Sequence, residues 1–254
     1  MRKTFVLLLI PIAFCVQNAT AQQAPAEDYS EPWHSNLSIG VRTGIRFLNP
    51  ISRVEETVYD STTDPPQSTQ YDSRSATKRI SVGPTLHYQL SDRWAITFDA
   101  MFTRSGYDAD LSTNTQPEDD ENPDFISTSY ERTRADYWDF PFLARYYYTG
   151  FQEDPARLYL TAGAAVRTVT GIETFSELFE DERHDFSETS TAPVEPARRT
   201  VPGVVVGGGF RLRDEVGLKI DVEARYMRWT QRIFDSNVAR SSPNEGAIFI
   251  SFSF

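Results

Sequence analysis

The last eight residues of the chain constrain its fold most strongly. In residues 247–254, large apolar side chains recur at every second position, at Ile248, Ile250, Phe252 and Phe254, with mostly small or polar residues between them. A period of two is typical of a β-strand with one apolar face. A strand that ends a chain exposes an edge to other chains, and closure onto the first strand of a barrel removes that edge. We therefore predict a closed barrel whose apolar outer face lies in lipid.

The first 21 residues predict export of the protein. Arg2 and Lys3 provide a basic start, residues 5–16 an apolar stretch, and Ala19 and Ala21 an A-x-A cleavage site. This arrangement is typical of a secretory signal peptide. We expect cleavage after Ala21.

Three regions follow from this division of the chain. Residues 1–21 are the predicted signal peptide, residues 22–35 a polar periplasmic tail, and residues 36–254 the barrel. Cys15 is the only cysteine and falls in the signal peptide, so the mature chain has no disulfide. The mean hydropathy of −0.45 argues against a helical membrane protein, but alternating barrel strands average to a polar value.

Seven further segments of the chain show the same alternation. With the terminal strand, the predicted strands cover about 36–48, 79–90, 94–104, 134–148, 157–168, 199–212, 218–227 and 247–254. Long and short connections alternate between them, and outer-membrane barrels have short periplasmic turns and long surface loops. We predict an all-β fold, an eight-stranded antiparallel up-and-down transmembrane β-barrel with short periplasmic turns and long extracellular loops. The alternatives are a β-sandwich and a soluble eight-stranded barrel, neither of which requires every second loop to be short.

Two features of the predicted strands bear on this fold. Aromatic residues on the outer face separate into two groups by height, as expected for the two membrane interfaces. The periplasmic group is Tyr88, Trp94, Tyr146, Tyr148, Phe210 and Phe254, and the extracellular group is Phe47, Phe102, Trp138 and Tyr226.

Pro84, Pro141 and Pro202 fall inside strands, and we expect a bulge or a broken pairing at each.

The inward face of the predicted barrel carries charged residues. Eight strands leave an interior that side chains just fill, and buried charges must be paired. We therefore predict a plugged, salt-bridged interior, and the alternative is a narrow ion-conducting path. The predicted network comprises Arg42, Arg46, Asp99, Asp139, Arg145, Arg167, Arg211, Lys219, Asp221, Glu223 and Arg225.

The predicted loops hold most of the acidic residues. One cluster has carboxylates that could bind a divalent cation, and its members are Glu118, Asp119, Asp120, Glu121 and Asp124. Hard cations prefer such ligands, but the spacing lacks the regular alternation of an EF-hand. The alternative is a solvated, mutually repulsive surface.

The three histidines give no basis for catalysis. His34 lies in the tail, His87 faces the lumen, and His184 lies in a loop beside Asp185. Adjacent residues of an extended chain point apart, so His184 and Asp185 do not form a base and its orienting group by themselves. We expect no enzyme and no cofactor, and the net charge of −11 argues against nucleic acid as a partner.

Several segments resemble a known family. Residues 137–148 (YWDFPFLARYYY) resemble the PorT-like pattern of an acidic residue, an apolar residue, proline and a run that ends in tyrosine. Residues 90–94 (LSDRW) are similar to that family's first periplasmic turn. Ile250, Phe252 and Phe254 are similar to the C-terminal signal that the barrel-assembly machinery reads. Residues 36–254 thus resemble the small outer-membrane β-barrel domain family, which includes PorT-like and OmpA/OmpX-like barrels.

This resemblance implies location and fold more than chemistry. We expect an outer-membrane protein with lipid and the barrel-assembly machinery as partners, and a structural or surface-binding role. Residues 126–134 alternate Ile, Thr, Tyr and Arg, so their hairpin is expected to protrude as a sheet that a partner strand could join. The alternative implied by the resemblance is an accessory role in protein secretion or transport.

Overall fold

The computed structural model describes residues 36–47, 51–52, 54–62, 67–75, 79–115, 125–149, 154–180, 187–189, 195–214, 216–236 and 240–254. The chain divides into two compact units, Met1–Pro32 and Trp33–Phe254, and every described residue belongs to the second. The predicted signal peptide and tail therefore lie outside the described residues. Within the described part of the chain, no helix is long and apolar enough to cross a membrane.

The regular structure of the described residues consists of β-strands. Their bounds are β1 Leu37–Arg46, β2 Ile51–Ser52, β3 Val54–Asp60, β4 Gln67–Ser75, β5 Ile80–Gln89, β6 Trp94–Asp99, β7 Met101–Thr115, β8 Phe125–Tyr147, β9 Ala156–Glu180, β10 Ser187–Thr189, β11 Thr200–Arg213, β12 Lys219–Trp229, β13 Arg240–Ser241 and β14 Asn244–Ser253.

Eight strands close into a ring, with β6 and β7 acting as one strand that is interrupted at Ala100. The order around the ring is β1, β5, β6/β7, β8, β9, β11, β12 and β14, and every neighbouring pair is antiparallel. The ring closes where β14 pairs with β1, with Ile250 opposite Thr43 and Phe252 opposite Val41. The predicted eight-stranded up-and-down barrel is confirmed.

The two faces of the ring follow the period of two in the sequence. Ile248, Ile250 and Phe252 on β14 point outward and are 40–50 % exposed. Ala247 and Phe249, at alternate positions of the same strand, are buried inside. Aromatic side chains mark both ends of the outer face. Trp94 and Tyr146 pack with ring centroids 5.0 Å apart at the periplasmic end, and Phe102 and Trp138 pack 5.5 Å apart at the other end. The predicted aromatic bands are therefore present.

Two of the prolines explain the interruption at Ala100. Pro84 of β5 lies in register with Ala100, and Pro141 of β8 lies in register with Asp99, so a missing N–H flanks this point on both sides. Both ladders are interrupted at Ala100, where its N–H still donates to the carbonyl of Pro84 at 3.1 Å, and the register is the same before and after it. The expected broken pairing is confirmed at these two prolines. At Pro202 it is wrong, because the register of β9 and β11 runs through Pro202 without a shift.

The long connections above the ring are present, and much of their length is β-strand. β7, β8 and β9 continue upward far beyond the predicted strand ends, and residues 54–60 and 67–75 of the first predicted loop form the hairpin β3–β4. Together β3, β4, β7, β8, β9 and β10 form a continuous six-stranded sheet beyond the membrane, which we call the extracellular sheet. The sequence of this sheet shows no apolar period. Water contacts the upper strands, so burial of one apolar face does not impose alternation of apolar and polar residues.

Candidate functional site

The strands bring the predicted interior charges together in the lumen. Ten of the eleven predicted residues are buried there, and Lys219 near the periplasmic end is half-buried. Alternate residues of a strand point to opposite faces, so the period of two places every one of these charged groups inside. Their contacts divide them into three levels.

The level nearest the extracellular end is a ring of four charges. Arg46 Nη1 lies 2.6 Å from Glu245 Oε2, and Arg46 Nη2 lies 2.6 Å from Asp139 Oδ2. Arg167 Nε lies 2.6 Å from Asp139 Oδ1, and Arg167 also pairs with Glu245. Two arginines therefore share two carboxylates, and the upper ring is neutral.

The middle level repeats this arrangement with other residues. Arg42 pairs with Asp99 at 3.0 Å and with Glu223 at 3.3 Å, and Arg225 pairs with the same two carboxylates at 2.8 and 2.6 Å. Thr85 donates a further hydrogen bond to Asp99. The middle ring is neutral as well, and its four side chains are buried in the lumen as those of the upper ring are.

The level nearest the periplasm has a different balance of charge. Asp221 accepts hydrogen bonds from Arg211 at 2.7 and 2.9 Å and from Arg145 at 3.1 Å. Arg145 also reaches Glu223 of the middle ring at 2.9 Å, and its guanidinium lies 3.8 Å from the ring centre of Tyr159. The basic side chains at this level therefore outnumber the carboxylates.

An apolar cover closes the lumen above the upper ring. Trp229 lies 4.1 Å from the Arg167 guanidinium, and Ile233 and Phe234 beyond it are 4 % and 2 % exposed. Phe234 packs against Tyr107 with ring centroids 6.0 Å apart. Ser241 holds this segment by two hydrogen bonds, one from its own N–H to the carbonyl of Phe234 and one from the N–H of Phe234 to its hydroxyl.

Sequence reasoning missed two charged members of the lumen. Glu245 is fully buried, and Arg157 is 3 % exposed. The spacing could have identified both. Glu245 is separated by even numbers of residues from the inward residues Ala247 and Phe249, and Arg157 lies two residues before the inward Tyr159. Glu245 was missed because β14 begins three residues earlier than predicted.

The remaining predicted site residues do not enter the lumen. The acidic cluster Glu118, Asp119, Asp120, Glu121 and Asp124 lies outside the described residues. In the part of the chain that is described, no group of His, Cys, Asp and Glu has the geometry of a metal site. Ile250, Phe252 and Phe254, the predicted assembly signal, all point outward along β14.

Of the three histidines, only His87 lies among the described residues. It packs in the lumen near the periplasmic end. Its Nε2 lies 2.9 Å from Arg211 Nη1 and 3.2 Å from Gln89 Oε1, and its Nδ1 lies 3.2 Å from Thr97 Oγ1. Both ring nitrogens thus have partners within the protein. His87 is a packed and hydrogen-bonded histidine of the lumen.

The extracellular sheet is the other prominent surface. β7 continues for 13 residues beyond Phe102 of the aromatic band, which corresponds to about 40 Å along the strand at about 3.3 Å per residue. Paired threonines bridge its strands, Thr133 to Thr174 at 3.0 Å and Thr69 to Thr113 at 3.2 Å. β3 pairs with β4 on one side only, so its other edge carries backbone groups that no described strand uses.

Ion pairs cover the outward face of this sheet. Arg104 pairs with Asp136 at 2.7 Å and Arg132 with Asp108 at 2.8 Å, and all four side chains are partly exposed to solvent. On the inward side, partial burial raises the pKa of Glu131 above its ordinary value. At the end of β3, Thr62 donates backbone and hydroxyl hydrogen bonds to Asp60 at 2.9 and 2.6 Å, and these lower the pKa of that carboxyl.

Comparisons with solved structures returned small barrels. The chain is similar to the outer membrane protein OprG from Pseudomonas aeruginosa (13 % identity, 86 % of this chain and 94 % of that chain, TM-score 0.48). It is also similar to Neisserial surface protein A (12 %, 85 % and 94 %, TM-score 0.34) and to Ail, the attachment invasion locus protein of Yersinia pestis (10 %, 86 % and 97 %, TM-score 0.30). No curated protein sequence matches the chain significantly.

A family model matches most of the chain. It is described as "Outer membrane protein beta-barrel domain", and it covers residues 20–228. The matched residues include every ring strand except β14 and the last residue of β12. The chain belongs to the outer membrane protein β-barrel domain family, and its place is the outer membrane.

Proposed function

We propose that the protein is a non-conducting barrel that holds the extracellular sheet above the membrane as a binding surface. The sheet carries this proposal, because strands that continue about 40 Å beyond the aromatic band exceed what anchoring in lipid requires. Among the described strands β3 pairs with β4 alone, so its other edge is the place for an added strand, and Tyr59 on it is 66 % exposed. Addition of a strand to such an edge is a common mode of protein recognition.

The contents of the lumen support the non-conducting part of the proposal. Two rings of paired charges and an apolar cover are buried inside the barrel. We expect no steady conductance when the refolded protein is inserted in a planar bilayer. A stable open current would contradict this part of the proposal.

The binding role can be tested by photo-crosslinking on intact cells. A photoreactive amino acid in place of Tyr59 on β3 should form adducts with a surface protein or a neighbouring copy. The same replacement at Tyr226, in the extracellular aromatic band, is the matched control and should form no protein adduct. Absence of any adduct at Tyr59, with the barrel correctly inserted, would contradict the proposal.

We propose no catalytic role, and the packing of His87 is consistent with this. A hydrolysis assay of the refolded barrel on lipid and peptide substrates tests it, and turnover above a heat-denatured control would contradict it. His184 lies outside the described residues, so His184→Ala is the variant to compare if turnover is found.

A second candidate is an accessory role in protein secretion or transport. It rests on the resemblance of residues 137–148 to the PorT-like pattern. Residues 137–147 of this segment form the ring part of β8, with Trp138, Phe140 and Phe142 on its outer face. Deletion of the gene should then lower the amount of secreted protein without changing outer-membrane permeability. Unchanged secretion would exclude this candidate.

A further inference from the structure

The charge of the lumen is unbalanced at one end only. The buried and half-buried basic side chains are Arg42, Arg46, Arg145, Arg157, Arg167, Arg211, Lys219 and Arg225, and the acidic ones are Asp99, Asp139, Asp154, Asp221, Glu223 and Glu245. The upper and middle rings each hold two arginines and two carboxylates. What remains at the periplasmic end is Arg145, Arg157, Arg211 and Lys219 against Asp154 and Asp221, an excess of two positive charges.

Arg157 is one of the basic side chains at this end. It is 3 % exposed, its guanidinium lies 3.7 Å from the ring centre of Tyr147, and its Nη2 donates to the carbonyl of Asp92. Its Nε is buried and has no hydrogen-bond partner in the described part of the chain. A buried polar group without a hydrogen-bond partner is costly.

The strand register places like charges side by side at this end. Arg157 of β9 is the direct partner of Arg211 on β11, and Arg213 is the direct partner of Lys219 on β12. Like charges at directly opposed positions of an antiparallel pair destabilise a sheet. A bound anion between them would reverse the sign of this interaction.

A cavity of about 40 Å³ lies among these residues. Its lining includes Arg157, Arg211, Arg213 and Lys219, and Asp154 is the one carboxylate among the described residues around it. The hydroxyl of Ser38, which accepts a hydrogen bond from Lys219, also lines it. The space corresponds to a few water molecules, which is the size of a small tetrahedral oxyanion.

We propose that the periplasmic end of the lumen is a binding site for one small oxyanion of the phosphate type. Arginine and lysine provide charged donors that suit phosphate oxygens, and a doubly charged anion offsets the excess of two. The lining side chains face the lumen, and the strand wall separates them from lipid. The ligand is therefore a free periplasmic oxyanion rather than the head group of a phospholipid.

The test uses the full chain refolded in phosphatidylcholine vesicles. Inorganic phosphate should bind with one site per barrel in calorimetric titration and should raise the urea midpoint of unfolding. Sodium chloride at the same ionic strength should do neither. If phosphate and chloride act alike, or if phosphatidylglycerol in the vesicles stabilises the barrel while inorganic phosphate does not, the proposal is overturned.

Variants locate the site. Arg157→Gln and Lys219→Gln should each weaken phosphate binding by about tenfold or more, because each removes a charged donor from the cavity. Lys219→Gln is included because it changes a half-buried side chain at the rim and leaves the contact between the Arg157 guanidinium and the Tyr147 ring intact. Arg104→Gln changes an arginine of the outer face, outside the lumen, and should bind phosphate as the unmodified chain does. Equal binding by Lys219→Gln, Arg157→Gln and Arg104→Gln would overturn the proposal.

Discussion

Arg46 Nη1 of the first ring strand lies 2.6 Å from Glu245 Oε2 of the last, and both side chains are buried in the lumen. The pair joins the two strands that close the barrel, 199 residues apart in the chain. Arg167 shares the same carboxylate. The ring of charges therefore depends on closure, and closure is in turn stabilised by the ring.

Removal of the Glu245 charge should destabilise the barrel strongly. In Glu245→Gln, Arg46 and Arg167 keep only Asp139 between them, and loss of one partner from a buried ion pair costs about 3–5 kcal/mol. Urea unfolding in lipid vesicles, followed by tryptophan fluorescence, measures the free energy of unfolding. The control is Asp136→Asn, which breaks the exposed pair with Arg104 and should cost less than about 1 kcal/mol. Similar losses in both variants would show that the upper ring does not stabilise the barrel.

Truncation of Phe234 should loosen the apolar cover while the rings of charge remain. Phe234→Ala removes the contact with Tyr107 and should cost about 3–5 kcal/mol if the cover unfolds together with the barrel. The hydrogen-exchange rate of residues 231–236 should rise. Conductance should stay absent, because the upper and middle rings remain and side chains are expected to fill the interior of an eight-stranded barrel. A steady current through Phe234→Ala would show that the cover, and not the network, blocks the lumen.

The extracellular sheet should respond to pH through Glu131. Because burial raises the pKa of this carboxyl in the folded state, its ionisation opposes folding, and the sheet should be most stable below the ordinary pKa of 4.5 and lose stability as pH rises. Glu131→Gln should therefore make the sheet more resistant to protease at pH 7 and leave it unchanged at acidic pH. Greater protease sensitivity of Glu131→Gln at pH 7 would contradict the assignment.

Asp60 provides a control of opposite sign. Its hydrogen bonds from Thr62 lower its pKa, so its ionised form stabilises the end of β3 at neutral pH, and that contribution is lost as pH falls. Asp60→Asn should make the hairpin β3–β4 more sensitive to protease at pH 7, with a smaller difference in acid. If both variants shift protease resistance in the same direction, surface charge in general, and not the local environment, controls the sheet.

Gly40 should tolerate no side chain at the closure of the barrel. A Cβ at this position would lie 1.9 Å from the carbonyl oxygen of Phe252 on β14, so Gly40→Ala must push the first and last strands apart. We expect a loss of about 1–3 kcal/mol or a failure to refold, measured by the heat-dependent mobility shift of folded barrels on gels. Gly171→Ala is the matched control, since its nearest atom would be 3.8 Å away. Equal refolding of the two variants would contradict the tight approach at Gly40.

The period of two in the sequence was sufficient to predict the ring. It identified eight strands, the outward aromatic bands and the lumen-facing charges such as Arg145 and Glu223, because lipid outside and a narrow interior impose opposite polarity on alternate residues. The pattern holds only where the two faces of a strand meet different surroundings. Residues 54–60 and 67–75 lie beyond the bilayer, where that contrast is lost, and their strands could not be recognised by period.

The pairing of charges was decided by the tertiary structure. The sequence alone places Arg46, Asp139 and Arg167 on inward faces of three strands, but their grouping with Glu245 into one ring depends on the strand register and on closure of β14 onto β1. The same register sets Arg157 against Arg211 and concentrates the excess positive charge at the periplasmic end. Whether a residue faces the lumen is decided by alternation within its own strand. The charge balance at a given height is a property of the closed barrel, because it is the sum of charges from strands that are far apart in the chain.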